Sequence, residues 1–324
     1  MLVSVLLFAV GLVLLIKGGD WFVDGAVGIA KRFNLPDIVV GATVVSIGTT
    51  LPEVMVSTTG ALAGSGAMAY GNAIGSIICN TALIAAISIT CNPGPVNVKS
   101  MKTPAIFFFC SAALYCLAAY GLGTFPRWMG FVMLAIFVVY MLLTVRNGMK
   151  NPDAGAEEEE EGGKPKKLWQ ELLLLVIGAA VIAVGADLLV DHGQIIAIEL
   201  GVPETVVALL FVALGTSLPE LVTTITSLKK GRASLGVGNV IGANIFNLVL
   251  VSGVAVSLAP FDVPVENTLL DTGLNLSLVF DIPVMLGVMS LMIFPALLGK
   301  KLSRWQGIAL LCIYAAFCVC QFML

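Results

Sequence analysis

The stretch Gly48-Thr49-Thr50-Leu51-Pro52-Glu53 returns later in the chain as Gly215-Thr216-Ser217-Leu218-Pro219-Glu220, each time within a long apolar segment. The match extends on both sides, so that the whole segment from Gly18 to Asn80 repeats without a gap from Gly185 to Asn247. Glycines, prolines and polar residues are among the identical positions. We interpret the chain as an internal duplication in which each copy places one carboxylate in apolar surroundings.

The composition is that of an integral membrane protein. Of the 324 residues, 58% are hydrophobic and 11% are charged, whereas about a quarter of residues in soluble domains are charged. The apolar segments are continuous, which excludes a β-barrel because barrel strands alternate apolar and polar residues. We predict an all-α membrane protein with about ten transmembrane helices, near residues 3–26, 37–63, 70–91, 103–121, 128–145, 168–190, 204–228, 236–258, 279–298 and 304–323.

Lysine and arginine residues are concentrated in alternate loops. The positive-inside rule assigns these loops to the cytoplasm; they contain Lys31, Arg32, Lys99, Lys102, Arg146, Lys150, Lys164, Lys166, Lys167, Lys229, Lys230, Arg232, Lys300, Lys301 and Arg304. The opposite loops carry only Arg127. We therefore predict a multi-pass protein of the plasma membrane with both termini outside.

This topology divides the chain into two halves of opposite orientation. Residues 1–146 form a first five-helix repeat, residues 147–167 a cytoplasmic acidic linker, and residues 168–324 a second five-helix repeat. Because five is an odd number, the second repeat must enter the membrane from the other face. Inverted repeats of this kind, with interrupted helices at their interface, are typical of secondary transporters.

Pro52 and Pro219 fall inside apolar spans, where proline removes a helical hydrogen bond and clashes with the preceding turn. We predict that both helices break there, after Gly48 and Gly215. Unwound backbone at this depth is tolerated only where it is buried in protein or lines water. Backbone carbonyls and the hydroxyls of the residues before each proline are then expected to face an internal cavity; these hydroxyl residues are Thr49, Thr50, Thr216 and Ser217.

Glu53 and Glu220 follow the predicted breaks directly. Two carboxylates facing each other in a low dielectric repel unless a cation or a proton lies between them. Asn80 and Asn247 add side-chain oxygens from the third and eighth spans. A ligand set of oxygens without sulfur or imidazole favours hard cations, which indicates calcium or sodium.

Other polar and small residues in the spans have structural interpretations. Gly71, Gly75, Gly238 and Gly242 are expected to allow close helix packing. Lys17, Asp20 and Asp24 occur at helical spacing in the first span, where Lys17 can pair with Asp20. We favour this structural role over a role in an ion access path, which is the other interpretation of intramembrane charge.

These residues resemble the sodium/calcium exchanger family of the calcium/cation antiporter superfamily, prokaryotic type. The resemblance covers essentially the whole chain and rests on the two hexapeptides, each followed by Gly-Asn-x-Ile-Gly. It implies that Glu53 and Glu220 bind calcium with oxygens of Thr49 and Thr216. It further implies two sodium sites. The inner one is formed by Thr50, Ser76 and the carbonyl of Ser46, and the outer one by Ser217, the carbonyl of Ala213 and position 243. Asn80 and Asn247 line the centre of the ion-binding region.

The chain departs from the family pattern at two positions. Position 243 is alanine where the family commonly has serine, and position 247 is asparagine where sodium/calcium exchangers commonly have aspartate. The first change removes an oxygen from the outer sodium site, and the second removes a titratable group. A proton or another monovalent cation is therefore the alternative counter-ion.

The resulting prediction is a secondary antiporter that exchanges calcium for sodium by alternating access. The alternative within transport is a calcium antiporter coupled to protons or to another monovalent cation. A channel fits less well, because channels usually surround one pore with repeated subunits. The sequence contains no catalytic motif that would indicate an enzyme, since it has one histidine and no His-Glu-x-x-His. We predict no prosthetic group, no nucleic-acid partner and no obligate protein partner; the lipid bilayer surrounds the chain.

Overall fold

The structure is a computed structural model that describes residues 2–150, 167–200, 215–264 and 275–323. Helices account for almost all of these residues outside the short connections, and each strand has two residues. In the part of the chain described, nine helical segments are long and apolar enough to cross a membrane. The prediction of an all-α membrane protein is confirmed.

The first half forms five continuous helical segments. Its α-helices are α1 (Leu2–Phe33), α2 (Asp37–Val40), α3 (Ser46–Leu62), α4 (Gly66–Cys79), α5 (Ala86–Cys91), α6 (Val98–Cys116) and α7 (Arg127–Lys150). Its strands are β1 (Gly94–Pro95) and β2 (Thr124–Phe125). Three π-helical turns join or extend these helices, at Gly41–Val45, Asn80–Ala85 and Leu117–Leu122.

The second half follows the same order in its described part. Its α-helices are α8 (Leu168–Glu199), α9 (Leu218–Lys229), α10 (Ala233–Phe246), α11 (Ser252–Leu258), α12 (Ile282–Gly299) and α13 (Arg304–Met323), and its strands are β3 (Phe261–Asp262) and β4 (Lys301–Leu302). Two π-helical turns lie at Asn247–Val251 and Ser277–Asp281. The predicted seventh span, 204–228, begins within residues 201–214, which lie outside the described residues.

The first helices of the two repeats, α1 and α8, pack along their length and run antiparallel. A Cβ on Gly11 would lie 2.9 Å from the carbonyl oxygen of Gly185, and a Cβ on Gly185 would lie 2.9 Å from that of Gly11. Further along, Gly25 approaches the backbone of Glu171. Glycine is required where two helix backbones come this close. Antiparallel first helices are the arrangement that an inverted duplication predicts.

Short strand pairs connect loops of the two halves. β1 pairs antiparallel with β4, with Gly94 opposite Leu302, and β2 pairs antiparallel with β3, with Thr124 opposite Asp262. β1 follows the third span of its repeat and β3 follows the corresponding span of the second repeat. Each pair therefore joins the loop after the third span of one repeat to the loop after the fourth span of the other. The two pairs correspond to each other under the duplication.

The two prolines of the hexapeptides have different effects on the backbone. In the second repeat, α9 begins at Leu218 with Pro219 in its first turn, after a turn at residues 216–217, as predicted. In the first repeat, α3 continues through Pro52 from Ser46 to Leu62, so no break occurs at that proline. A proline often kinks a helix without ending it. The irregular backbone lies about two to three turns earlier, in the π-helical turn at Gly41–Val45.

Ion pairs hold the helices together at the end of the molecule that carries the basic loops. Arg32 Nε lies 2.8 Å from Glu171 Oε2 and joins α1 to α8. Lys230 Nζ lies 2.6 Å from Asp24 Oδ1 and 3.6 Å from Asp20 Oδ1. The two aspartates thus pair with Lys230 rather than with Lys17, which supports a structural role for them.

Candidate ion-binding site

The two glutamates of the hexapeptides lie on different helices and face a common interior. Glu53 is in α3 and Glu220 is in the first turn of α9, and both side chains are fully buried. Each carboxylate lacks a hydrogen-bond partner among the described residues. α3 and α9 contact each other, and like charges that share a low-dielectric interior repel. Two buried carboxylates without partners require either a cation between them or a proton on one of them.

Other side chains of the predicted site also have buried polar atoms without partners in the described ranges. These atoms are Thr50 Oγ1, Ser217 Oγ, Asn80 Oδ1 and Nδ2, and Asn247 Oδ1. Buried polar groups are paired in the large majority of cases. A concentration of unpaired oxygens around two carboxylates indicates a site that receives its missing partner from outside the chain.

The elements bring these atoms together in a crossed arrangement. The π-helical turn that begins at Asn80 contacts α9, which carries Glu220, and the π-helical turn that begins at Asn247 contacts α3, which carries Glu53. π-helical turns are rare and often mark functional sites. Each π-helical turn that begins with an asparagine therefore packs against the helix that carries the glutamate of the other repeat.

The first threonine of each hexapeptide also reaches the other repeat. Thr49 donates a hydrogen bond to Asn239 Oδ1 at 3.2 Å, and Thr216 donates one to Asn72 Oδ1 at 3.4 Å. Asn72 and Asn239 occupy the same place in the two Gly-Asn-x-Ile-Gly motifs. With its proton directed to an amide oxygen, each threonine hydroxyl presents lone pairs in the other directions, where they are available to a cation.

The same two asparagines hold the helices that carry the glutamates. Asn72 Nδ2 donates to Ser57 Oγ at 2.8 Å and to the carbonyl oxygen of Glu53 at 3.3 Å. Asn239 Nδ2 donates to Thr223 Oγ1 at 2.9 Å, and the Thr223 hydroxyl lies 3.1 Å from the carbonyl oxygen of Glu220. Asn72 and Asn239 were absent from the predicted site residues, although both stood in the motif that the sequence repeats.

The residues of the two implied sodium sites are described to different extents. Ser46 and Ser76 are buried, and the Ser46 hydroxyl lies 2.8 Å from the carbonyl oxygen of Gly41. Ala243 is fully buried, and its carbonyl oxygen accepts a hydrogen bond from Asn247 Nδ2 at 3.1 Å. Ala213 lies outside the described residues.

Close packing around glycines, predicted for four positions, is found at two of them. A Cβ on Gly242 would collide with Ser46 Oγ and with the backbone of Ala42, and one on Gly238 would collide with the backbone of Ile38. A Cβ on Gly71 or Gly75 would meet no atom of the described residues within 4 Å. The tight contact is therefore between α10 and the segment Ile38–Ser46.

The site offers oxygen ligands rather than a cluster of strong metal ligands. Within the described ranges, no group of three or more histidine, cysteine, aspartate or glutamate side chains converges. A cation between Glu53 and Glu220 would complete its coordination with hydroxyl, amide and carbonyl oxygens. Hard cations such as sodium and calcium accept this set.

Comparison with known proteins identifies the family. The family model described as sodium/calcium exchanger protein matches residues 3–146 and 171–323. The chain belongs to the sodium/calcium exchanger family. The exchanger is 30% identical to the sodium/calcium exchanger MaX1 of Methanosarcina acetivorans, with 99% of each chain covered. It is 32% identical to the inner membrane protein YrbG of Escherichia coli, over 81% of this chain and 82% of that protein.

Solved structures of the sodium-calcium exchanger NCX_Mj resemble the exchanger in fold. The form soaked with 10 mM Na+ and zero Ca2+ matches with a TM-score of 0.78 and 32% identity, over 97% of both chains. The form soaked with 10 mM Na+ and 10 mM Sr2+ matches with a TM-score of 0.77, again at 32% identity and over 97% of both chains. The similarity extends through both halves of the molecule.

Proposed function

We propose that this chain exchanges calcium for sodium across a membrane by alternating access. The observation that carries the proposal is the pair Glu53 and Glu220, two fully buried carboxylates on contacting helices that have no hydrogen-bond partner in the described part of the chain. Membership of the exchanger family and the likeness to NCX_Mj, which was soaked with sodium, calcium and strontium, support this choice of ions.

Competition for one pair of carboxylates explains why transport would be an exchange. One calcium ion or several monovalent ions neutralise the same two charges, so calcium and sodium exclude each other. Without a cation the two carboxylates remain unpaired in a low dielectric, which is strongly unfavourable. Reorientation of the unloaded protein is then disfavoured, and each crossing carries cargo.

The proposed roles of the site residues follow the motif positions. Glu53 and Glu220 bind calcium with oxygens of Thr49 and Thr216. Thr50, Ser76 and the carbonyl of Ser46 bind one sodium ion, and Ser217 with the carbonyl of Ala213 binds another. Asn80 and Asn247 line the centre, where Asn80 Oδ1 and Asn247 Oδ1 have no other partner in the described ranges.

The packing of the helices suggests which parts move. α1 and α8 touch through Gly11 and Gly185 and are joined by Arg32 and Glu171, so we propose that they move as one unit against the remaining helices. α10 is packed against Ile38–Ser46 near the end with the basic loops. The contact between α10 and Ile38–Ser46 would close the ion site toward the end with the basic loops. It would have to open when the site exchanges ions with that side of the membrane.

We propose that the protein lies in the plasma membrane in the orientation that the basic loops predict. Both termini are then outside the cell, and the linker is in the cytoplasm. The ion pairs of Arg32, Lys230 and Arg232 then lie at the cytoplasmic end. Epitope tags at either terminus should be accessible to antibody on intact spheroplasts, and a protease site in the linker should be cleaved only after lysis. The reverse pattern would overturn this orientation.

The test of the function is radiolabelled calcium uptake into proteoliposomes loaded with sodium. We expect uptake that requires an outward sodium gradient and that Glu53→Gln abolishes. Glu199→Gln makes the same chemical change at the exposed end of α8 and should leave uptake intact. Sodium-free liposomes with a pH gradient form the second arm. Uptake there, without sodium dependence, would replace the proposal with proton-coupled calcium antiport.

A further inference from the structure

A charged contact joins the two repeats at the end of the molecule that carries the basic loops. Arg232 lies in the turn between α9 and α10, and its Nη1 is 3.1 Å from Oδ2 of Asp37, the first residue of α2. The two side chains are 15% and 5% exposed, so the pair is largely withdrawn from water. Removing one partner of such a pair leaves the other charge buried and uncompensated. The contact therefore holds α2 of the first repeat against the second repeat.

Backbone contacts directly beside this ion pair close the same interface. A Cβ on Gly238 would collide with the carbonyl oxygen of Ile38. A Cβ on Gly41 would collide with the carbonyl oxygen of Leu235. The backbones of α10 and Ile38–Ser46 thus touch without side chains between them, as glycines permit. While α10 lies in this position, the interface between the two segments is too tight for an ion to pass.

Two hydroxyls on α9 lie between Glu220 and the ion pair. Thr224 and Ser227 follow Glu220 by four and seven residues, which places them on the same face of the helix. Their side chains are 2% and 1% exposed, and both hydroxyl oxygens lack a hydrogen-bond partner among the described residues. The backbone N–H of Arg232 donates to the carbonyl oxygen of Ser227 at 2.8 Å. The ion pair therefore lies at the end of this row of hydroxyls.

α10 covers the row in the closed arrangement. A Cβ on Gly236 would lie 3.2 Å from Cγ2 of Thr224, so the first turn of α10 packs directly on that side chain. Buried polar groups are paired in the large majority of cases. Two unpaired hydroxyls beneath a helix indicate groups that meet water or a passing ion when the helix moves away. Thr224 and Ser227 are thus placed to line a path from Glu220 to the end with the basic loops.

The duplication does not repeat the ion pair. In the aligned repeats, Asp37 corresponds to Glu204, which keeps the carboxylate, but Arg232 corresponds to Ser65, which has no charge. The pairing of these two positions by opposite charges is therefore specific to one end of the molecule. An interaction that is made only while that end is closed stabilises the closed state of that end.

We propose that the ion pair of Asp37 and Arg232 is the cytoplasmic gate of this exchanger, and that it closes a path lined by Thr224 and Ser227. Because the ion pair is present at one end only, it also biases the protein without cargo toward the state that is closed to the cytoplasm. This inference rests on the proposed exchange and on the proposed orientation. Asp37 and Arg232 act as positioning residues, since they hold α2 and α10 together and do not touch the ion.

The first test is the rate at which a membrane-impermeant thiol reagent reaches position 227 from the cytoplasmic side of inside-out vesicles in calcium- and sodium-free buffer. Ser227→Cys is the reporter, and mass spectrometry of its peptide separates it from the seven native cysteines. Arg232→Ser should speed labelling by about 5- to 150-fold, the usual size of a coupling to a conformational equilibrium. Asp37→Asn breaks the pair from the other repeat and should act in the same way. Unchanged labelling in both variants would overturn the inference.

Two further variants separate the ion pair from a general effect of charge. Asp37→Arg combined with Arg232→Asp exchanges the two charges and should bring labelling back toward the wild-type rate. Labelling as fast as in the single variants would show that the ion pair is not the gate. Lys229→Ser is the matched control, because it removes the same charge at an exposed position in the last turn of α9 and should leave the rate unchanged. A rate equal to that of Arg232→Ser would also overturn the inference.

Transport supplies a readout that a purely structural role would not move. Opening the gate enlarges the fraction of protein that can bind from the cytoplasmic side, so Arg232→Ser should lower the half-saturating calcium concentration on that side. The value on the outer side, measured in right-side-out vesicles, should not fall. A fall on both sides, or a rise on the cytoplasmic side, would contradict the gate. The labelling test needs no transport, so absence of sodium-dependent calcium uptake by the wild-type protein would refute the proposed function separately.

Discussion

Thr49 and Asn239 come from opposite repeats and are joined by a hydrogen bond of 3.2 Å from the threonine hydroxyl to the amide oxygen. Thr216 and Asn72 make the equivalent contact in the other direction, at 3.4 Å. Each asparagine also holds the helix of a glutamate, Asn72 through the Glu53 carbonyl and Asn239 through Thr223. Each repeat thus orients site residues of the other repeat. A substitution in one repeat should therefore alter ion binding by residues of the other.

A double-mutant cycle should detect this coupling. We expect Thr49→Val and Asn239→Ala each to weaken calcium binding by about 10–100-fold, the usual effect of removing a group that orients a ligand. Together they should lose less than the sum, with an interaction energy of about 0.5–3 kcal/mol. Calcium titration by calorimetry measures all four proteins. Thr49→Val combined with Asn72→Ala is the control, because these residues share no hydrogen bond and their effects should add. Additivity in the first cycle would contradict the coupling.

Removing one carboxylate should stabilise the ion-free protein while abolishing its response to calcium. Glu220→Gln relieves the repulsion with Glu53 and replaces an unpaired buried charge, so we expect a gain of about 1–3 kcal/mol in calcium- and sodium-free buffer. Thermal unfolding followed by tryptophan fluorescence, with and without calcium, measures both effects. Wild-type protein should be stabilised by calcium, and the variant should not. Loss of stability in ion-free buffer would mean that Glu220 has a structural partner.

The contact between α1 and α8 should be intolerant of even one methyl group. Gly185→Ala places a Cβ 2.9 Å from the carbonyl oxygen of Gly11 and should destabilise the protein by about 1–3 kcal/mol, the usual cost of overpacking. Gly287→Ala is the matched control, because a Cβ there meets no described atom within 4 Å. Alanine also favours helix over glycine by up to about 1 kcal/mol, so this variant should be as stable as wild type or more so. Equal effects of the two changes would refute the close contact.

Much of the fold could be predicted from the sequence, because the duplication repeats the polar residues of the site as well as the apolar spans. Glu53 and Glu220 were singled out because a carboxylate in an apolar span has few uses other than binding; the structure shows both to be fully buried. The spans followed from the length of the apolar segments. The inverted orientation of the two repeats was predicted from the basic loops and from the odd number of spans in each repeat, and it stays a prediction.

Other features depend on contacts that a linear pattern does not contain. Asn72 and Asn239 stood in a repeated motif, but their hydrogen bonds reach residues far away in the chain. Lys17 lies near Asp20 in sequence, yet Lys230 reaches Asp20 and Asp24 because α1 packs against α9. Pro52 and Pro219 have the same sequence context, and the helix continues through only Pro52, with the irregular turn displaced to Gly41–Val45.

The ion pair of Asp24 with Lys230 is partly exposed, and its loss should be mild. Asp24→Asn should change stability by less than about 1 kcal/mol, an effect that salt reduces further. Calcium affinity and the sodium dependence of uptake should stay at wild-type values, because Asp24 pairs at the end of the molecule that carries the basic loops rather than with the glutamates. A large fall in the apparent affinity for either ion would assign Asp24 to an ion access path instead.

A disulfide between α1 and α9 should test whether α1 moves. A Cβ on Gly19 would lie 3.8 Å from the Cβ of Thr226, close to the roughly 3.8 Å average of disulfides. Oxidation of Gly19→Cys with Thr226→Cys should abolish exchange, and a reductant should restore it, because the bond fixes α1 to a helix against which it is proposed to slide. Each single variant, oxidised in the same way, controls for the substitutions and for the seven native cysteines. Calcium binding should survive the cross-link, since Thr226 lies six residues beyond Glu220 on α9 and both carboxylates are kept. Full exchange in a quantitatively cross-linked sample would show that α1 and α9 move together, and the moving unit would then have to be larger than α1 and α8.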